Sequence, residues 1–324
     1  MRLGGTARYM CEIHNDEDLK AALQFATMNM LAWRVVGIGS NIVWRDEGFS
    51  GLLIVNKIEG FEILQDGVSV KIGAGENWDA VVEKSVAAGL SGIEFLSLIP
   101  GTAGATPVQN VGAYGREIKD VLTSLRAYDT VKKQFMDMAA NDCVFGYRTS
   151  RFKTYDSGRF IIASITLKLS KTLPQPPFYD ALQAYFDQQG TTEFTPQVIR
   201  DAVIAIRNSK LPDPAVVANN GSFFANPVVS LGEFGRLKGE FPDIKGWPFN
   251  DGVKVAAGWL VEQAGFKDIH DEQTGMATWH AQSLVLVNEH ARSTSDLLAF
   301  KQKIVDAVHE KFGVALEQEP ELLP

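Results

Sequence analysis

The sequence is poor in cysteine. Two thiols occur in 324 residues, Cys11 and Cys143, far apart and with no Cys or His neighbour at metal-ligand spacing. A disulfide framework is excluded, and a reduced compartment follows. The five histidines are equally scattered, and His270 and His280 have no ligand pattern around them, so no metal is expected. No apolar run reaches the ~18 residues of a membrane span and no signal-peptide pattern opens the chain, so no membrane partner and a cytoplasmic location are expected. No Lys/Arg-rich run relieves the net charge of -8, which argues against nucleic acid as a partner. An anionic substrate stays possible through a local cluster of Arg and Lys. There is no internal repeat and no low-complexity tract.

What is present reads as a globular chain of two or three domains, 45% hydrophobic and 22% charged. The opening "MRLGGTARYM" reads as starting abruptly on a strand, as a chain lacking a few leading residues would. Asp16 to Met30 has helical spacing, with Leu19, Ala22, Leu23, Ala26 and Met30 on one face. "AWRVVGIG", "GLLIVN" and "VSVKIGAG" read as strands. "NWDAVVEKSVAAGL" reads as a helix capped by Asn77 and closed near Gly89. This order is α+β rather than doubly wound. "SLRAYDT" and "FIIASITLKL" are strands, and "PQPPFYD" is a loop. Thr195-Pro196 opens a helix that "KLPDP" stops, which marks a domain boundary. Beyond it, "VAAGWLVEQAG" is a helix and "SLVLVN" a strand. A last helix from about Ser295 to Lys311 has a capping box at Ser293 and Asp296 and Gly313 at its end.

Four stretches carry chemistry. "GIGSN" (Gly37 to Asn41) lacks the third glycine and the following helix of a dinucleotide fingerprint. It can still turn successive N–H groups toward an anion. "IPGTAGATPVQNVGAYG" (Ile99 to Gly115) is rich in glycine but poor in charge, hence ordered. It reads either as a packed loop or as the second jaw of a pyrophosphate clamp, with Gln109, Asn110 and Tyr114 lining a flat ring. "FGYRTSRFK" sets Arg148 and Arg151 among aromatics, suited either to a cation–π contact or to bidentate binding of a carboxylate. "NNGSFFANPVV" (Asn219 to Val229) puts Ser222 on a turn before two apolar rings. That turn is either a capped hairpin corner or a hydroxyl held in a dry pocket. The terminal "LEQEPELL" adds Glu317, Glu319 and Glu321, which a solvated acidic tail would also explain.

Taken in order, these stretches resemble the UDP-N-acetylenolpyruvoylglucosamine reductases. The resemblance runs through "GIGSNIVWRDEGFSGLLIVN", "GAGENWDAVV", "LSLIPGTAGATPVQNVGAYGREI", "FGYRTSRFK", "KLPDPAV", "NNGSFFANPVV", "VAAGWLVEQAGF" and "LEQE", and so covers essentially the whole chain. The segment carrying Phe178 and Tyr179 resembles the form with a substrate-covering tyrosine loop. The resemblance implies an α+β fold: a two-part FAD-binding region of the vanillyl-alcohol-oxidase type plus a smaller α+β substrate-binding domain. The expected division is 1–59 and 60–210 for the two FAD-binding parts and 211–313 for substrate, with the tail 314–324 packing back on the first part. It further implies non-covalent FAD, NADPH as co-substrate, a monomer, and the enolpyruvyl ether of UDP-N-acetylglucosamine as substrate. Flavin N5 gives hydride to the enol β-carbon and a proton reaches the α-carbon, yielding UDP-N-acetylmuramate for peptidoglycan synthesis and hence for cell wall, cell shape and cell division.

By the same resemblance Ser222 is the proton donor, Arg148 polarises the substrate carboxylate, and Glu319 is the acidic partner, with Glu321 the alternative. Tyr179, Lys210, Asn226, Trp247, Lys254, Lys267 and Gln282 match substrate contacts. Gly37, Gly39, Ser40 and Asn41 match cofactor contacts, as do Ile99, Pro100, Gly101, Gly104, Ala105, Gln109, Asn110, Gly112, Ala113 and Tyr114. Three positions depart from the pattern. Thr149 stands where Asp is usual, Ala225 where Lys is frequent, and Trp247 where a Tyr is expected. The rival readings are another FAD-dependent oxidoreductase of the same fold and a non-catalytic flavin- or nucleotide-binding module.

Overall fold

The computed structural model describes all 324 residues. The chain divides into two compact units, one of residues 7–40 and 49–207, the other of residues 1–6, 41–48 and 208–324. Each contains sheets and helices, in keeping with the α+β reading.

The first unit holds two sheets. Ala7–Ile13, Phe49–Asn56 and Trp33–Val36 form a parallel sheet with Phe49–Asn56 in the centre. Helix Asp16–Met28 makes the first crossover. Asn15 caps it by accepting the Asp18 N–H at 2.8 Å, and Leu19, Ala22 and Ala26 face the sheet. The helix ends before Met30, which turns left-handed (φ 52°) and is almost fully exposed instead of joining the apolar face. The second sheet is antiparallel, in the order Gln134–Ala139, Leu122–Asp129, Phe160–Lys168, Ser69–Gly73 and Phe61–Ile63. Helix Trp78–Ala87 packs Trp78, Val81, Val82 and Val86 into its core. Asn77 caps that helix as the sequence predicts. Helices Asp180–Gln189 and Pro196–Lys210 close a smaller core around Phe95, Leu182, Phe186 and Ile199. The Thr195 hydroxyl caps the second of them.

The other unit is built on an antiparallel sheet ordered Ala218–Ser222, Gln282–Asn288, Met276–Trp279 and His270–Asp271. Beside it stands a three-stranded sheet of Val228–Ser230, Gly252–Val255 and Gly246–Phe249. Helices Leu231–Glu240, Ala257–Gln263 and Thr294–Phe312 complete the core with Phe223, Phe224, Phe300 and Phe312. The capping box at Ser293 and Asp296 is present, and Gly313 (φ 71°) ends the long helix. Residues 1–6 and 41–48 belong to this unit rather than to a body spanning 1–59. The reason is bonding. Asp46 accepts the N–H groups of Thr294 and Ser295 at 2.6 and 3.0 Å, and Ile42–Trp44 pairs in parallel with the tail strand Glu321–Leu323.

Candidate active site

The two glycine-rich loops are packed against each other. A Cβ on Gly37 would lie 2.4 Å from the Thr102 Oγ1, so only glycine permits the approach. The Ser40 hydroxyl donates to the Pro100 carbonyl at 2.9 Å. The second loop is pinned from behind. Trp78 N–H donates to Gly101 O, Ala103 N–H to Glu76 O and Gly104 N–H to Ala74 O. The Trp78 indole, fully buried, donates to Leu96 O at 3.0 Å. Gly39 (φ 74°) and Gly101 (φ 150°) set the bends. The second segment is therefore a packed loop. Side-chain bulk is absent where the loops meet, and Ile38, Pro100 and Ala105 stay exposed on them. The N–H groups of Ala103 and Gly104 are spent on Glu76 and Ala74, so they are not open to a ligand.

The end of the second loop is a hairpin. Gly112–Ala113 pairs with Arg116–Glu117 across Tyr114 (φ 49°) and Gly115 (φ 79°), the double left-handed turn of a two-residue hairpin. The Tyr114 ring meets Tyr179 edge to face, centroids 6.0 Å apart. Burial pushes both phenol groups up. Tyr179 is partly exposed at the start of helix Asp180–Gln189, an element the sequence reading does not name. Arg148 lies on a tight turn in which Gly146 and Thr149 pair. Its backbone is left-handed (φ 52°), its Nη2 donates to Gly112 O at 2.7 Å, and its guanidinium stands 5.3 Å from the Tyr147 ring centre. Arg151 plays a different part. It forms an ion pair with Asp156 and bonds to Asp142 O. Asn110 differs from the cofactor contact expected of it. It is fully buried, and its carboxamide is spent on Glu117, Gly146 and Lys119.

In the other unit, strand Ala218–Ser222 pairs with Gln282–Asn288 through a bulge between Asn219 and Ser222, where Gly221 is left-handed (φ 70°). Ser222 therefore ends a bulged strand rather than sitting on a hairpin turn. Its side chain is exposed, not enclosed, while Phe223 and Phe224 beside it are buried. The tail runs alongside. Glu319 N–H donates to Phe223 O at 2.9 Å and Ala225 N–H to Glu317 O at 3.0 Å. Glu321 belongs instead to the strand against Ile42, its N–H bonded to Asn41 O. Asn226 accepts the Ala257 N–H at 2.9 Å and so starts helix Ala257–Gln263. Trp247 and Lys254 are register partners on neighbouring strands, with the Lys254 ammonium 5.2 Å from the Phe249 ring centre. Lys267 is exposed, 4.0 Å from Glu262, which also accepts from Ser283 next to Gln282. Lys210 is exposed at the end of its helix.

The comparisons with known proteins decide the family. Residues 7–131 match the FAD binding domain, and residues 213–323 match the C-terminal domain of UDP-N-acetylenolpyruvoylglucosamine reductase. The reductase of that name from Alcanivorax borkumensis is 45% identical over 293 residues, spanning 90% of this chain and 84% of its own. The chain belongs to the UDP-N-acetylenolpyruvoylglucosamine reductase family. The Pseudomonas putida reductase is 41% identical over 320 residues, covering 98% of this chain and 93% of the relative. The crystal structure of the Thermus caldophilus enzyme superposes with a TM-score of 0.67 at 21% identity, over 97% of this chain and 92% of that one, which supports the fold. The family's reductases use FAD, and both glycine loops lie within the residues that match the FAD binding domain.

One candidate escaped the sequence reading. Arg207 sits against Tyr114 and Asp79. Burial lowers its pKa, and its Nε has no hydrogen-bond partner. The signal was available. Arg200 is one heptad earlier, hence on the same helix face, and it forms a bidentate pair with Asp79 at 2.6 and 2.9 Å. No helix is long and apolar enough to cross a membrane, and no group of three or more His, Cys, Asp or Glu is arranged to hold a metal.

Proposed function

We propose that the chain reduces the enolpyruvyl ether of UDP-N-acetylglucosamine to UDP-N-acetylmuramate in the cytoplasm, with Ser222 as proton donor. Residues up to about 210 serve the cofactor and those from 211 to 313 the substrate. The observation that carries the reading is the pairing of Phe223–Ala225 with Glu317–Glu319, which places the Glu319 segment beside the strand end bearing Ser222. It also supports Glu319 over Glu321 as the acidic partner.

Residues 37–41 and 99–115 would hold FAD, which, reduced by NADPH, would supply the hydride for the enol β-carbon. The remaining work is done by side chains. A serine is a very poor acid, so Ser222 serves only because its acceptor, the enolate-like α-carbon, is more basic still and because the donor is pre-positioned. Backbone bonds on both sides of Ser222 support the second condition. Arg148 stabilises the charge that develops on the substrate carboxylate, a task that suits a planar fork of N–H donors. Lys210, Lys254 and Lys267 supply positive charge for an anionic nucleotide sugar, and Trp247 and Gln282 contribute contacts. Asn226 donates through its Nδ2, since its oxygen is committed to Ala257. Tyr179, partly exposed, covers the substrate.

The test is single-turnover reoxidation of the NADPH-reduced protein by the enolpyruvyl substrate, with UDP-N-acetylmuramate identified by mass. Reduction by NADPH without reoxidation by this substrate would favour a flavoenzyme of the same fold with another substrate. Failure to bleach with NADPH would favour a binding module. Acid precipitation should leave the yellow colour in the supernatant. Residues 37–41 and 99–115 contain no Cys or His to form a covalent link, and burial pushes the Cys143 thiol up to about 12.

A further inference from the structure

We infer that Asn110 is a positioning residue for Arg148, fastening the turn that carries the guanidinium to the hairpin that receives it. The inference rests on the role proposed above for Arg148. Asn110 is completely buried, and its carboxamide satisfies groups from three places in the chain. Nδ2 donates to Gly146 O at 3.0 Å, the first residue of the Arg148 turn, and to Glu117 Oε2 at 3.1 Å, on the hairpin. Oδ1 accepts the Lys119 N–H at 3.2 Å. Two donors and one acceptor in one plane are a carboxamide's inventory, and a carboxylate offers neither donor. The backbone (φ 49°) is left-handed, a region Asn tolerates better than other side-chained residues.

The bonds form a closed circuit. From Gly146 the chain runs two residues to Arg148, whose Nη2 donates to Gly112 O, and Gly112 lies two residues beyond Asn110. The other flank of the turn is tied by the Ser150 hydroxyl to Val108 O at 2.6 Å. A Cβ on Gly112 would lie 2.8 Å from the Glu117 Cγ and 3.1 Å from the Arg148 Nη1, so the circuit is filled. Glu117 is itself held by Lys119 at 2.5 Å. The contacts between the glycine loops, at Gly37–Thr102 and Ser40–Pro100, use none of these groups.

Asn110→Asp keeps shape and backbone tolerance and removes both donors. Asn110→Gly, which also accepts the left-handed backbone, is the second variant should the first not fold. Flavin content, the visible spectrum and reduction by NADPH should stay within about twofold, because the loop contacts are untouched. Reoxidation at saturating enolpyruvyl substrate should fall on the order of a hundredfold, the cost of a misplaced catalytic group. Combined with Arg148→Ala, Asn110→Asp should add less than about threefold to the loss from Arg148→Ala alone, because the two act as a unit. Unchanged reoxidation, equal losses in both half-reactions, or a full additional loss in the double variant would overturn the inference. If Arg148→Ala alone reoxidises normally, the role of Arg148 has failed, and a crystal structure of the Asn110→Asp chain decides the positioning separately. A shifted 146–149 turn with the Arg148–Gly112 bond broken upholds it, and an unmoved guanidinium refutes it.

Discussion

The Arg148 turn and the Ser222 strand end are held in opposite ways. Arg148 is aimed by polar bonds: a buried carboxamide, a carbonyl acceptor and a left-handed backbone. Ser222 is placed by apolar anchors, with Phe223 and Phe224 sunk in the core and its own side chain exposed. The chemistry explains the contrast. A guanidinium works as a flat fork, so its plane must be fixed, and only directional bonds do that. A hydroxyl turns about one bond, so fixing its backbone is enough, and non-directional burial of the next two residues suffices.

The strongest way to break this comparison is Ser222→Ala. Reoxidation by the enolpyruvyl substrate should fall ~10²–10⁴-fold, as for a lost general acid, while reduction by NADPH stays within a few fold. Ser222→Cys should restore part of the rate. Rapid-mixing traces of flavin absorbance read both steps, and parent-like reoxidation in the Ala chain would leave Ser222 a structural residue. Next comes the anchor. Phe223→Ala should cost about 3–5 kcal/mol of stability, because a fully buried ring leaves a cavity. Urea unfolding measures it, and a loss below ~1 kcal/mol would mean that the strand end is held otherwise. Arg148→Lys keeps charge but loses the fork. Reoxidation should drop about a hundredfold, roughly 3 kcal/mol, with flavin reduction nearly unchanged. Equal loss in both steps would point to folding or flavin binding instead.

The smallest effect concerns acid. The Arg159 guanidinium bonded to Asp129 holds that carboxyl at about 2. A depressed folded value means that the pair stabilises fully above the ordinary carboxylate range, near pH ~4, and that this contribution disappears as pH falls toward the folded value. Asp129→Asn should flatten the decline of melting temperature between those limits. An unaltered slope would show the pair to be without weight.

The sequence reading recovered what short-range chemistry dictates. The Asn77 and Thr195 caps, the capping box at Ser293 and the stop at Gly313 all stand where side chain and spacing put them. It missed the strands Phe61–Ile63 and Gln134–Ala139, which are short and lack clean alternation. Their strand character comes from neighbours distant in sequence. It missed the helix Asp180–Gln189 because prolines just before it read as loop. At the site, residue types were legible and their commitments were not. Nothing local shows that Asn110 is consumed by Gly146 and Glu117, or that Asn226 spends its oxygen on a helix start. These three bonds join residues separated by seven to thirty-six positions.

The parallel pairing of Ile42–Trp44 with Glu321–Leu323 has a consequence for biosynthesis. A strand made early waits, with that edge unpaired, until Glu321–Leu323 is translated. The unit containing Ser222 thus reaches its finished form only once Glu321–Leu323 has been made, and the same segment brings Glu319 with it. A polypeptide ending before Glu319 would lose a structural strand and the proposed acidic partner together. Such chains would then be both open to proteases and silent, which would join quality control to the same few residues proposed to serve the reaction.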